Sequence, residues 1–189
     1  MNEEADEGEV YEDEVKEILA KAEISILLDT YDDIFSDFDP RPYNQRALSD
    51  DFLLEAKKAT MDREGNFHLR FLIPRSVRKL DHENTIKKRL REHFRKHALL
   101  LEGEIKKVRR EGAFMALLGA VLLILATLVA HYFKDKSILF TFLLILLEPA
   151  GWFTAWTGLD QLYYTVNEKK PDYIFYEKMT RVEMTFISY

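Results

Sequence analysis

The chain has 189 residues and a formal charge of −6, from 27 Lys and Arg against 33 Asp and Glu. It holds no cysteine, which excludes disulfides, thiolate metal sites and cysteine nucleophiles. The length suits one soluble domain or a small domain with membrane segments, and the sharp segregation of apolar residues along the chain favours the second.

Residues 1–17, from MNEEADEGEVYEDE onward, are acidic and polar. They carry too few apolar groups to offset the cost of ordering, so a disordered tail is expected. They also lack the apolar core of a signal peptide. VKEILAKA then reads as a short helix. Ala22 to Thr30 reads as a half-buried strand, with Ile24, Ile26 and Leu28 alternating against Glu23 and Ser25.

The next stretch is DTYDDIFSDFDPRP, Asp29 to Pro42. Asp29, Asp32, Asp33, Asp37 and Asp39 are hard oxygen donors of the kind that bind calcium or magnesium. The calcium-loop pattern also needs a central glycine and a closing glutamate, and both are missing here. Aspartates also cap turns and accept from nearby backbone amides. The loop is therefore expected to be a structured, conformationally fixed binding surface for a partner, without metal. Ile34, Phe35 and Phe38 are expected to tuck under the domain, and Arg41 or Arg46 to pair with an aspartate.

Ser49 has the character of an N-cap, followed by Asp50 and Asp51 at the positive end of a helix that runs to about Thr60. DREGN is a turn. NFHLRFLIP is a second strand with Phe67, Leu69, Phe71 and Ile73 on one face, ended by Pro74. From about His82 an apolar stripe of Ile86, Leu90, Phe94, Ala98, Leu101, Ile105 and Val108 marks one face of a helix whose opposite face is basic. No proline separates this helix from the apolar segment that follows. Gly103 and Gly112 are the expected bend points. His93 and His97 lie four apart on it, but no further zinc ligand can be placed, so the pair is read as solvated. A basic run such as KKRLREHFRKH is a nucleic-acid footprint in a basic domain. In an acidic chain leading toward a membrane, it is read as a solvated helix face with no nucleic-acid partner.

Ala113–Phe133 has no formally charged residue over 21 positions, about 30 Å of helix and the thickness of a bilayer core. Ile138–Leu159 is a second segment of spanning length, and KDKS joins the two tightly enough for an antiparallel hairpin. Lys106, Lys107, Arg109 and Arg110 precede the first segment, and Lys169 and Lys170 follow the second. By the positive-inside bias both termini are expected in the cytoplasm of a multi-pass protein. The same basic residues, with Trp152 and Trp156, are the expected lipid-headgroup contacts. Glu148 and Pro149 form a polar, kink-prone site at membrane depth, where a carboxyl is costly and suggests function.

After the hairpin, PDYIFYEKM reads as a short helix begun by Pro171 or as a strand. RVEMTFISY is a strand with Val182, Met184 and Phe186 on one face. The expected architecture is an α+β membrane protein. A two-helix transmembrane hairpin (113–133 and 138–159) is inserted in a small cytosolic α+β domain of three to four strands and two to three helices. That domain takes in residues 18–110, with the striped helix at 82–110 continuing into the first span, and residues 165–189. No phosphate-binding glycine loop, nucleophile elbow or catalytic carboxylate pair is present. The expected function is therefore non-enzymatic and cofactor-free: a membrane-anchored interaction or scaffold module that engages a protein partner or another copy. The alternative is an oligomeric channel or pore-forming effector that uses Glu148.

Overall fold

The structure, a computed structural model, describes residues 24–61, 68–133 and 138–189. The acidic tail, VKEILAKA, the DREGN turn with Phe67, and KDKS fall outside the described residues. In chain order the elements are β1 (Ile24–Leu27), a 3₁₀ turn (Tyr31–Ile34), α1 (Asp50–Met61), β2 (His68–Ile73) and α2 (Leu80–Phe133). Then come α3 (Ile138–Asp160), a π-helical turn (Gln161–Thr165), α4 (Val166–Arg181) and β3 (Glu183–Ser188). The fold is thus mixed α and β, with strands in the order β1-β2-β3, all parallel. The chain divides into two compact units, residues up to Ala98 with Phe175–Tyr189, and Leu99–Ile174.

In the first unit, the register aligns Ile24 with Leu69 and Met184, and Ile26 with Phe71 and Phe186. Alternation along each strand then puts these rows and Ile73 on one face. The sheet advances one strand at a time in one direction. Right-handed crossovers then carry α1, the first part of α2 and the last part of α4 over the same face. That face is the core: Leu69, Phe71 and Ile73 share one cluster with Phe52 and Ala56 of α1, Ile86, Leu90 and Phe94 of α2, and Phe175 and Met179 of α4. Phe71 stacks on Phe186 at 4.8 Å, and Phe94 meets Phe175 edge-on at 6.0 Å.

The N-terminus of α1 is capped as its sequence implies, the Phe52 amide donating to Ser49 Oγ at 3.5 Å. At the start of α2, Glu83 is only 3% exposed. It accepts from Arg78 Nε at 2.7 Å, while Arg78 Nη2 donates to the Phe186 carbonyl at 3.1 Å. Tyr31 Oη accepts the Lys79 amide at 2.9 Å and donates to Glu83 at 3.4 Å. A buried carboxylate is tolerable only when satisfied in this way, and here it ties loop, helix and strand together.

In the second unit, α2 and α3 lie antiparallel at very close range. A Cβ added at Gly119 would sit 2.2 Å from the Ala155 amide nitrogen, and one at Gly158 2.3 Å from that of Ala116. Gly151 faces Leu123 in the same seam. Small residues let the two backbones approach this closely and gain dispersion contact along the seam. The outward faces remain apolar and open, as at Leu117, Ile124, Ile145 and Phe153.

Two expectations are corrected. Helix α2 runs unbroken through Gly103 and Gly112. Gly112 serves close packing instead of a bend, because a Cβ there would lie 2.9 Å from the Gly158 carbonyl oxygen. Helix α4 begins at Val166, so Pro171 is internal and neither a first helical residue nor part of a strand. The chain arrives already helical through the π turn, and Pro171 only removes one amide donor from a running helix.

The two glycine classes should respond oppositely to the same change. Gly119→Ala should lower the thermal midpoint in detergent, because backbone has to move. Gly103, with nothing within 4 Å, should gain about 0.5–1 kcal/mol on Gly103→Ala. Parallel thermal scans followed by circular dichroism check this, and equal shifts would contradict the seam.

Candidate functional site: a pinned acidic loop

The loop between β1 and α1 is closed at its base by an antiparallel bridge between Phe35 and Leu48. Ser36 N donates to the Ala47 carbonyl at 2.9 Å, and Ser49 N to the Ile34 carbonyl at 3.0 Å. Within it, three of the five aspartates are committed to internal bonds. Asp33 Oδ2 accepts the amides of Asp29 at 2.7 Å and Thr30 at 2.9 Å, completing a capping box over the 3₁₀ turn. Asp32 accepts from Arg46 and, at 3.3 Å, from the Tyr43 hydroxyl. Asp39 accepts the Ala47 amide at 2.6 Å and a two-pronged Arg41 guanidinium at 2.8 and 2.7 Å.

The Arg41 guanidinium, then the Ala47 amide, hold the Asp39 carboxyl well below the usual carboxylate range. Burial pushes the Tyr43 and Tyr31 hydroxyls up. Tyr43 also stacks on Phe35 at 5.1 Å, and Arg89 Nε of α2 donates to the Arg46 carbonyl at 3.1 Å. Both Arg41 and Arg46 therefore pair with aspartates. Among the described residues no three His, Asp or Glu side chains converge as a metal site.

Ile34 and Phe35 are buried, but Phe38 is 98% exposed, which corrects the expectation that it tucks under the domain. The space beneath the loop is filled by Tyr31, Ile34 and Phe35. The bonds of Asp39 fix the backbone beside Phe38 while its ring stands in solvent, next to exposed Asp37. Nothing in DFD spacing separates an inward from an outward Phe, so the sequence could not have singled it out.

The histidine pair also differs from expectation. His93 and His97 are partly buried, their rings 4.2 Å apart, and His97 stacks on Tyr176 of α4 at 5.1 Å. His93 Nε2 is buried with no hydrogen-bond partner. The basic neighbours suggested a solvated face, but α4 packs there.

In the second unit, Glu148 and Pro149 are exposed on α3, and among the described residues Glu148 has no hydrogen bond or ion pair. Trp152 and Trp156 stack on each other at 6.0 Å and are exposed. Gly151 lies against Leu123, the eleventh residue of Ala113–Phe133, so Trp152 is level with the middle of the apolar segment and not with its end. Trp156 lies one helical turn nearer that end. Exposed Tyr163 and Tyr164 stand closer to its basic end. There Lys106 pairs with Glu102, Lys107 lies 4.0 Å from Glu111 and Lys169 lies 2.7 Å from Glu104. Arg109 and Arg110 have no such partner among the described residues.

Comparison with protein-family models, curated proteins and solved structures finds no match.

Burial, then the charges of His97, Arg89 and Lys96, lower the His93 pKa from 6.5 to about 4; Tyr176 is the group facing it from α4. The unfolded chain binds this proton first, so the stability is fully present above pH 6.5 and is lost as pH falls toward 4. Allowing for solvent screening, the loss is about 1–2 kcal/mol. His93→Gln should flatten the stability difference between pH 7 and 4.5 measured by thermal unfolding. An unchanged difference would remove His93 from the acid response.

Proposed function

We propose that the chain is an integral membrane protein whose two apolar helices cross the bilayer as a hairpin, and whose parallel-sheet unit is a cytoplasmic, non-enzymatic binding module. The apolar windows of these helices are only 11% and 6% buried, whereas the core helix of a soluble protein is mostly buried. Exposure on that scale is costly in water and favourable in lipid. The cations flanking the hairpin support placing both termini in the cytoplasm. In this reading the headgroup level falls near Arg109, Arg110, Tyr163 and Tyr164.

The observation that carries the binding role is Phe38, 98% exposed on a loop whose Tyr31, Ile34 and Phe35 are buried and three of whose five aspartates are bonded internally. An aromatic anchor on a fixed loop loses little conformational entropy on docking, and such residues dominate interface energetics. With Asp37 beside it, Phe38 suits an apolar pocket rimmed by basic groups on a partner. A photo-crosslinking residue at position 38 of the full chain in native membranes should give a discrete adduct, absent when the probe replaces exposed Glu55. Adducts equal at both positions, or absent from both, would remove the loop from recognition. Phe38→Ala should leave the thermal midpoint unchanged, since the residue is 98% exposed.

A second reading is favoured by Glu148, a carboxyl without a partner among the described residues, midway along an apolar helix at proposed membrane depth, where such groups commonly mark ion pathways. Two helices cannot enclose a pore, so conduction requires several copies. Glu148→Gln should then alter ion flux or selectivity in liposomes; flux identical to the parent chain would exclude Glu148 from any conduction.

A further inference from the structure

The basic end of the hairpin holds a cavity of about 390 Å³ lined by Arg110, Glu111, Phe114, Met115 and Gln161. All five residues belong to the second unit. The volume lies in the range of small-ligand sites. Its chemistry changes along its length. Arg110, three residues before the uncharged segment begins at Ala113, supplies a cation with no ion pair among the described residues. The one carboxylate on the wall, Glu111, faces Lys107 at 4.0 Å. One turn deeper, Phe114 is 65% exposed and Met115 partly so, giving an apolar wall. Across the seam, the π turn brings in Gln161, whose Oε1 is buried with no hydrogen-bond partner. A Cβ at Gly112 would sit 3.1 Å from the Gln161 Cβ, so the glycine is what lets this residue line the open cavity.

We propose that this cavity binds one molecule of an anionic glycerophospholipid. The lipid phosphate pairs with Arg110, whose planar guanidinium matches a phosphate in two-pronged geometry. An acyl chain lies against Phe114 and Met115, and the Gln161 amide meets the glycerol or headgroup hydroxyls. The site rests on the membrane reading, which sets Arg110 at headgroup depth. It goes beyond a general attraction of basic residues to anionic lipid, because it assigns Arg110 and not Arg109. A free phosphate would leave the apolar wall bare, whereas a phospholipid of the surrounding leaflet brings both the anion and the acyl chain.

The test is native mass spectrometry of the full chain in maltoside micelles, titrated with phosphatidylglycerol or phosphatidylcholine. One phosphatidylglycerol should be retained in preference to phosphatidylcholine. Arg110→Gln should weaken that retention roughly tenfold, in line with the loss of a charge-assisted pair. Arg109→Gln, of equal charge change and one position away, should leave it within about twofold. Phe114→Ala should weaken both lipids. Equal losses for Arg109→Gln and Arg110→Gln, equal retention of the two lipids, or displacement by inorganic phosphate would each overturn the site. Should Arg110→Gln reduce helicity, Arg110→Lys serves in its place, with a smaller loss expected in the same direction. Release of the chain from cell membranes by alkaline carbonate would sink the membrane reading itself, and that result is independent of the lipid titration.

Discussion

Strand β3 lies parallel to β2 over its whole length, from His68 opposite Glu183 to Ile73 opposite Ser188. A parallel neighbour cannot be reached by a tight turn; the chain has to leave the sheet, cross over and return in the same sense. Everything between Ile73 and Glu183 is that crossover. Helix α2 leaves over the core face and α4 returns over it, so Ile86, Leu90 and Phe94 meet Phe175 and Met179 beneath the strands. The last strand completes a sheet of which β1 and β2 alone would be a marginal pair. The buried Glu83, bonded to Arg78 and Tyr31, and Arg78, bonded to the Phe186 carbonyl, join the start of the crossover to its end.

The acidic loop shows how a run of like charge becomes structure. Five aspartates in fourteen residues would repel one another in an unordered chain. Here Asp33 caps a turn, while Asp32 and Asp39 are matched by Arg46 and Arg41. Each of these bonds is exposed and worth little alone. Together with the Phe35–Leu48 bridge they hold the backbone in one arrangement. That arrangement leaves Phe38 standing outside the core, its ring in solvent beside exposed Asp37.

The hairpin follows a different rule. Its outward side chains are large and apolar while its seam is made of Gly112, Ala116, Gly119, Ala155 and Gly158. In a soluble protein this distribution would be inverted, with bulk at the contact and polarity outside. The seam's close approach also brings Gln161 beside Gly112, where it lines the open cavity at the basic end.

The sequence by itself determined the elements whose signal is local. The alternation in β2 and β3, the Ser49 cap, the stripe from Ile86 to Ala98 and the two long apolar helices are all written in spacing and composition. Only the tertiary structure decided that α4 starts at Val166, that Gly112 serves packing and not a bend, that the histidines lie against Tyr176, and that Phe38 faces outward. Gly112 and the histidines depend on partners distant in the chain, the Gly158 carbonyl and the returning α4 face; the start of α4 depends on α3 arriving already helical, and Phe38 on the space its own loop fills with Tyr31, Ile34 and Phe35. Periodicity reports which side of a segment is apolar. Which neighbour covers that side, and which apolar residue is left without one, follows from how the crossover closes.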